Sequence, residues 1–127
     1  MKHSINKSEL YPNDITLGII GGGQLGKMIG LEAKRMSLNV AYLDPDMNCP
    51  ASSIADQMVV SDFKDEKSII ELANKSDVLT FEIELAYSSV LKDLESRGYA
   101  VHPASSVLNT IQNKLRQKRF LRAKGIP

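Results

Sequence analysis

The sequence predicts an α/β domain: an open, mainly parallel sheet of about five strands with helices on both faces. Three observations predict it. Short β-branched runs alternate with helix-patterned stretches along most of the 127 residues. The first run, Ile15–Ile20, drives straight into Gly21, Gly22, Gly23 and Gly26, and a helical pattern follows at once. The unusual polar clusters fall just beyond the ends of the apolar runs, where parallel sheets bind ligands.

Ile15–Ile20 is the first expected strand, by its β-branched content and turn boundary. Leu25, Met28, Ile29, Ala33 and Met36 recur near the 3.6 period, so 24–36 reads as an amphipathic helix. Val40–Leu43 is a second strand, ended by Asp44-Pro45-Asp46, and Ser52–Ala55 reads as a short helical turn. Gln57–Val60 is a third strand and Asp65–Asn74 a helix, with Ile69, Ile70 and Ala73 apolar. Asp77–Phe81 is a fourth strand. Ser88 or Ser89 opens a helix to Arg97, stopped by Gly98. Tyr99–His102 is a fifth strand, stopped by Pro103, and Ser105–Ile111 and Asn113–Lys124 read as further helices. Residues 1–14 read as a loosely ordered tail and 15–127 as one domain.

Bulk properties exclude several classes. A hydrophobic content of 43% is ordinary for a globular chain. No apolar stretch approaches the ~20 residues of a membrane helix, and the polar first residues lack the apolar core of a secretory signal. One cysteine, Cys49, excludes an internal disulfide and fits a reducing, cytoplasmic compartment. Charge is segregated: residues 1–96 hold nine Lys/Arg against fifteen Asp/Glu, and 97–127 hold seven cations and no acid. The late cations, Lys114, Arg116, Lys118, Arg119, Arg122 and Lys124, spread around more than one helix face with one aromatic, Phe120, among them. That is a poor nucleic-acid surface; one or two of them reaching a nucleotide phosphate is the better reading.

Gly21, Gly23 and Gly26 stand at the G-x-G-x-x-G spacing between a strand and a helix. Such a turn lets a ligand approach the backbone, while free N–H groups and the positive end of the helix dipole point at it. A phosphorylated small molecule is the expected ligand. Asp44, eighteen residues past Gly26, is either a turn residue or the acid that holds a ribose hydroxyl in a dinucleotide site. Glu82 and Glu84 follow the fourth strand in Thr-Phe-Glu-Ile-Glu-Leu, and alternation puts both carboxylates on one face at the sheet edge. Paired acids near a core repel unless a ligand hydroxyl or cation uses them. His102, alone before Pro103, reads as a structural group.

The stretch Gly-Ile-Ile-Gly-Gly-Gly-Gln-Leu-Gly-Lys-Met at 18–28 resembles the start of the N5-carboxyaminoimidazole ribonucleotide synthetases, ligases of the ATP-grasp superfamily. Leu43-Asp44-Pro45, Cys49-Pro50-Ala51, Phe81-Glu82-Ile83-Glu84, His102-Pro103 and Ile111-Gln112-Asn113-Lys114 follow in the same order. The likeness covers about 16–127, and Gln24 favours this family over the sister formate-dependent glycinamide ribonucleotide transformylases, which carry Glu there.

The resemblance implies a Rossmann-like pre-ATP-grasp fold and a purine-biosynthesis reaction. ATP, with Mg²⁺, would phosphorylate bicarbonate, and the amine of aminoimidazole ribonucleotide would then be carboxylated. Gly23, Gln24 and Leu25 in the glycine turn and Glu82 would contact the ribonucleotide, and Lys114 would contact ATP. Leu85 departs from the polar residue many members carry there, which weakens a role for Glu84. The family's catalytic and metal-binding residues lie beyond Pro127, so 104–127 is expected to lead into an ATP-grasp domain. The chain alone is expected to be inactive and the full-length protein to be a homodimer, with no nucleic-acid or membrane partner. A competing expectation is an NAD(P)-binding Rossmann domain of an oxidoreductase, or a regulatory nucleotide sensor.

Overall fold

β-branched and apolar alternation produces four parallel strands in a computed structural model that describes residues 11–127. They are β1 (Thr16–Ile20), β2 (Asn39–Asp44), β3 (Gln57–Val60) and β4 (Val78–Phe81), in the order β3-β2-β1-β4. Chain order reverses between β1 and its two neighbours, which makes the carboxyl ends of β1 and β4 a topological switch point. Register fixes what meets there. Ile20 pairs with Leu43 on one side and Phe81 on the other, so Gly21, Asp44 and Glu82 emerge together.

Alternation along the strands divides the core in two. Ile19, Val40 and Tyr42 face one side, under α1 (Gln24–Arg35). Ile20, Ala41, Leu43, Val59 and Leu79 face the other. There they meet α2 (Glu66–Asn74), α3 (Ser88–Ser96) and α4 (Ser105–Ile111) through Ile69, Leu72, Leu91, Leu94 and Leu108. Helices therefore cover both faces. The last helix, α5 (Lys114–Ala123), packs against α4 and buries no residue. Asn113 caps it, its Oδ1 accepting from the Leu115 and Arg116 amides at 3.0 and 3.1 Å.

Three expectations are corrected. The fifth strand shrinks to a single parallel bridge between Leu79 and Val101. Leu79 donates to Ala100 O at 2.8 Å and accepts from His102 N–H at 2.9 Å. Pro103 then has no N–H with which to extend the ladder. Of the apolar row of α1 only Ala33 is buried: Leu25, Met28, Ile29 and Met36 are exposed, and the other buried positions are Gly26 and Gly30. Small residues win that face because the Gly21 carbonyl lies against Gly26 and the fully buried Tyr42 side chain takes the space beneath Gly30. The short helical turn lies at Pro50–Ser53, two residues earlier than expected. Of the expected tail, residues 1–10 lie outside the described residues. Pro12–Asp14 makes one 3-10 turn, and Asn39 Nδ2 donates to Asn13 O at 2.7 Å.

Candidate functional site

The glycine turn is built by two close approaches. Gly21 has φ +106°, a conformation side chains rarely adopt. Gly26 lies so close to the Gly21 carbonyl that a Cβ there would collide with backbone, which is how α1 starts directly over the end of β1. Gly23 is the N-cap residue of α1 and offers no side chain, so the first amides of the helix are left open. The N–H groups of Gly23, Gln24 and Leu25 form no hydrogen bond among the described residues. Three unpaired donors and the positive helix end make an anion cradle open to solvent.

Glu82 closes one side of the cradle. Its amide donates to Ile20 O at 2.9 Å, which continues the β1–β4 pairing by one residue. Its carboxylate then lies over the turn: a Cβ on Gly21 would stand 2.6 Å from Oε2, and one on Gly23 3.8 Å. Half-burial raises the Glu82 pKa above the ordinary carboxylate value, and the nearby charge of Asp44 adds to the effect. The carboxylate makes no hydrogen bond within the described residues, so it has acceptor capacity for a hydroxyl or amine beside the cradle.

Asp44 sits at the same edge with the opposite commitment. It is buried, and its Oδ2 accepts from Gly22 N–H at 2.9 Å while Oδ1 accepts from Asp46 N–H at 2.9 Å. Each oxygen holds a backbone amide, so the carboxylate stabilises the glycine turn rather than presenting itself to a ribose. That geometry counts against the dinucleotide reading. Cys49 packs behind Gly22, a buried thiol whose pKa is pushed up by burial and then by Asp44.

The other candidates separate. Gln24 and Leu25 are exposed on the first turn of α1, at the mouth of the cradle. Glu84 does not join Glu82: β4 ends at Phe81, the alternation ends with it, and the Glu84 side chain faces solvent. Lys114 is exposed at the first position of α5. His102 is exposed. Tyr42 escaped sequence reasoning. Its hydroxyl donates to Gly26 O at 2.8 Å and fills the notch at Gly30, tethering α1 to the sheet. Burial pushes its pKa up to about 12.

Residues 15–112 match the ribonucleotide synthetase preATP-grasp domain family. The chain belongs to that family. This preATP-grasp chain is 36% identical over 122 residues to an N5-carboxyaminoimidazole ribonucleotide synthase of Brucella melitensis, covering 96% of this chain and 33% of that protein. It is 39% identical over 114 residues to a chloroplastic phosphoribosylaminoimidazole carboxylase of Vigna aconitifolia, covering 90% of this chain and 20% of that protein. Among solved structures it resembles the N5-carboxyaminoimidazole ribonucleotide synthetase of Thermotoga maritima, with a TM-score of 0.85, 46% identity and coverage of 89% and 31% of the two chains. It also resembles the Aspergillus clavatus synthase, solved with ADP and 5-aminoimidazole ribonucleotide, with a TM-score of 0.83, 39% identity and coverage of 92% and 31%. The chain spans between a fifth and a third of the length of these relatives.

Lys114 is a free-standing cation that suits a nucleotide phosphate. Among the described residues no group of three or more His, Cys, Asp or Glu side chains is placed to hold a metal ion. No helix of the described residues is long and apolar enough to cross a membrane.

Proposed function

We propose that this chain grips the ribonucleotide substrate of an ATP-dependent ligase that carboxylates aminoimidazole ribonucleotide with bicarbonate. One observation carries the reading: the Glu82 carboxylate stands over the glycine turn whose amides at 23–25 are unpaired, at the switch point of β1 and β4. The amides and helix dipole of α1 bind the sugar phosphate. Glu82 accepts a hydrogen bond from a ribose hydroxyl or the ring amine, and Gln24 and Leu25 line the entrance. The names of the relatives, and the Aspergillus clavatus complex with aminoimidazole ribonucleotide, support this substrate.

ATP supplies the phosphoryl group that activates bicarbonate, and Lys114 contributes one contact to it. No step of that chemistry runs through the described residues, and the chain by itself does not turn over. Residues 104–127 lead towards an ATP-grasp domain, and the complete ligase works in the cytoplasm as a homodimer.

Calorimetric titration of the chain tests the reading. Saturable binding of aminoimidazole ribonucleotide, with no binding of NADH, is the expected result. Saturable NADH binding that the ribonucleotide does not displace would transfer the site to the dinucleotide alternative. ADP release from ATP, bicarbonate and ribonucleotide by this chain alone would overturn its assignment as the non-catalytic part.

A further inference from the structure

Residues 82–87, between β4 and α3, carry Glu82 and have no regular structure. Their internal hydrogen bonding is thin: Ala86 N–H reaches Ile83 O at 3.4 Å, beyond the usual range. The loop is held from outside. Gln112, the C-cap residue of α4, donates from Nε2 to Glu84 O at 2.7 Å and to Ala86 O at 2.8 Å. Both protons of one side-chain amide are used on two carbonyls two residues apart, which is a bidentate clasp. Ile83 and Ile111 pack against the same core beside it. The clasp is therefore backed by apolar contacts on both of the segments it joins.

We infer that Gln112 is a positioning residue for the substrate site: by clasping the Glu84 and Ala86 carbonyls it holds the loop that sets the Glu82 carboxylate over the glycine turn. The inference rests on the proposed ribonucleotide reading for what Glu82 grips, but the clasp itself does not. Asn113 and Lys114 follow directly, so the same clasp ties the Glu82 loop to the start of α5. Gln112 spends its side-chain amide on the loop carbonyls, so its role runs through Glu82.

Gln112→Met keeps the length and removes both donors, and Gln112→Lys keeps N–H donors at similar reach. Amide hydrogen exchange of the chain is read at Glu82 and Ala86, the amides of this loop that are hydrogen-bonded. Gln112→Met should speed it about tenfold there, leave β1–β3 unchanged, and Gln112→Lys should restore much of the protection. Unchanged exchange in Gln112→Met overturns the clasp, whatever the ligand. Titration with aminoimidazole ribonucleotide gives the second arm. Gln112→Met should weaken binding about tenfold in the native background and less than twofold in a Glu82→Ala background, because its effect passes through Glu82. Equal losses in the two backgrounds overturn the positioning role. Absence of ribonucleotide binding by the unsubstituted chain counts against the proposed substrate, an outcome separate from the exchange result.

Discussion

Glu82 and Asp44 flank one glycine turn from opposite sides, Asp44 Oδ2 bonded to Gly22 N–H at 2.9 Å and Glu82 Oε2 lying within 2.6 Å of where a Gly21 Cβ would stand. The two acids arrive together because β2 and β4 both pair with β1 in register at Ile20. One acid is spent on structure and the other is kept for a ligand. Replacing each should give a different phenotype.

Asp44→Ala should destabilise the fold. It leaves the Gly22 amide without its acceptor in a buried setting and frees the partly exposed Asp46 amide, and the buried loss costs about 1–3 kcal/mol. Urea unfolding should show a lower midpoint at an unchanged slope. Stability within a few tenths of a kcal/mol of the native chain would show that water replaces the carboxylate.

Glu82→Ala should do the reverse. It removes no hydrogen bond within the described residues, so the unfolding midpoint should hardly move. Ribonucleotide affinity should fall by ~1–3 kcal/mol, the cost of leaving one buried ligand donor unpaired. Calorimetry on the same samples reads both quantities, and an affinity equal to that of the native chain removes Glu82 from the site.

The raised Glu82 pKa gives a pH dependence with a defined sign. Folding disfavours the ionised form, through burial first and Asp44 second. The native chain therefore loses stability relative to Glu82→Gln as pH rises through the folded pKa, and the two converge at pH below the ordinary 4.5. Ligand binding runs the other way, since an accepting carboxylate must be ionised: affinity should fall on acidification with a midpoint above 4.5. Asp44→Asn removes the neighbouring charge and should bring that midpoint down. Thermal melts and titrations across pH 4–8 check all three.

What the sequence made legible was local. The turn at 21–26 could be read because a positive φ and an open helix start are set by residues within a few positions of one another. The placing of strand ends at one edge followed from the βαβ pattern. Asp44 could not be assigned, because its Oδ2 is taken by an amide 22 residues earlier, a pairing that register creates and composition does not announce. Glu84 was misplaced because alternation was carried three residues past the end of β4. The buried positions of α1 were hidden for a related reason: hydrophobicity ranks Leu25 and Met28 above Gly26 and Gly30, yet the Gly21 carbonyl leaves no room for a side chain at 26 and the Tyr42 hydroxyl none at 30. Gln112 carries no sequence signal of its own, since an amide side chain reveals its partners only once the loop is in place.

Tyr42 and Gly30 should therefore behave as a coupled pair. Tyr42→Phe removes the donor to Gly26 O, a buried hydrogen bond worth ~0.5–1.5 kcal/mol, and keeps the shape of the ring. Gly30→Ala gains about 1 kcal/mol of helix propensity but drives a methyl into the Tyr42 hydroxyl, with Ile54 Cδ1 at 3.0 Å on the other side. Overpacking of that kind costs about 1–3 kcal/mol, so the single change should destabilise. In the double variant the hydroxyl is gone and the methyl moves into its place. The residual contacts, 3.1 Å to Cζ and 3.0 Å to Ile54, need only a few tenths of an ångström of adjustment. The double variant should then be more stable than the sum of the two single losses predicts. Denaturant unfolding of the four proteins measures this directly. Strict additivity would show that α1 is free to lift away from the sheet, and that the amides at 23–25 are not held in place by the tyrosine beneath them.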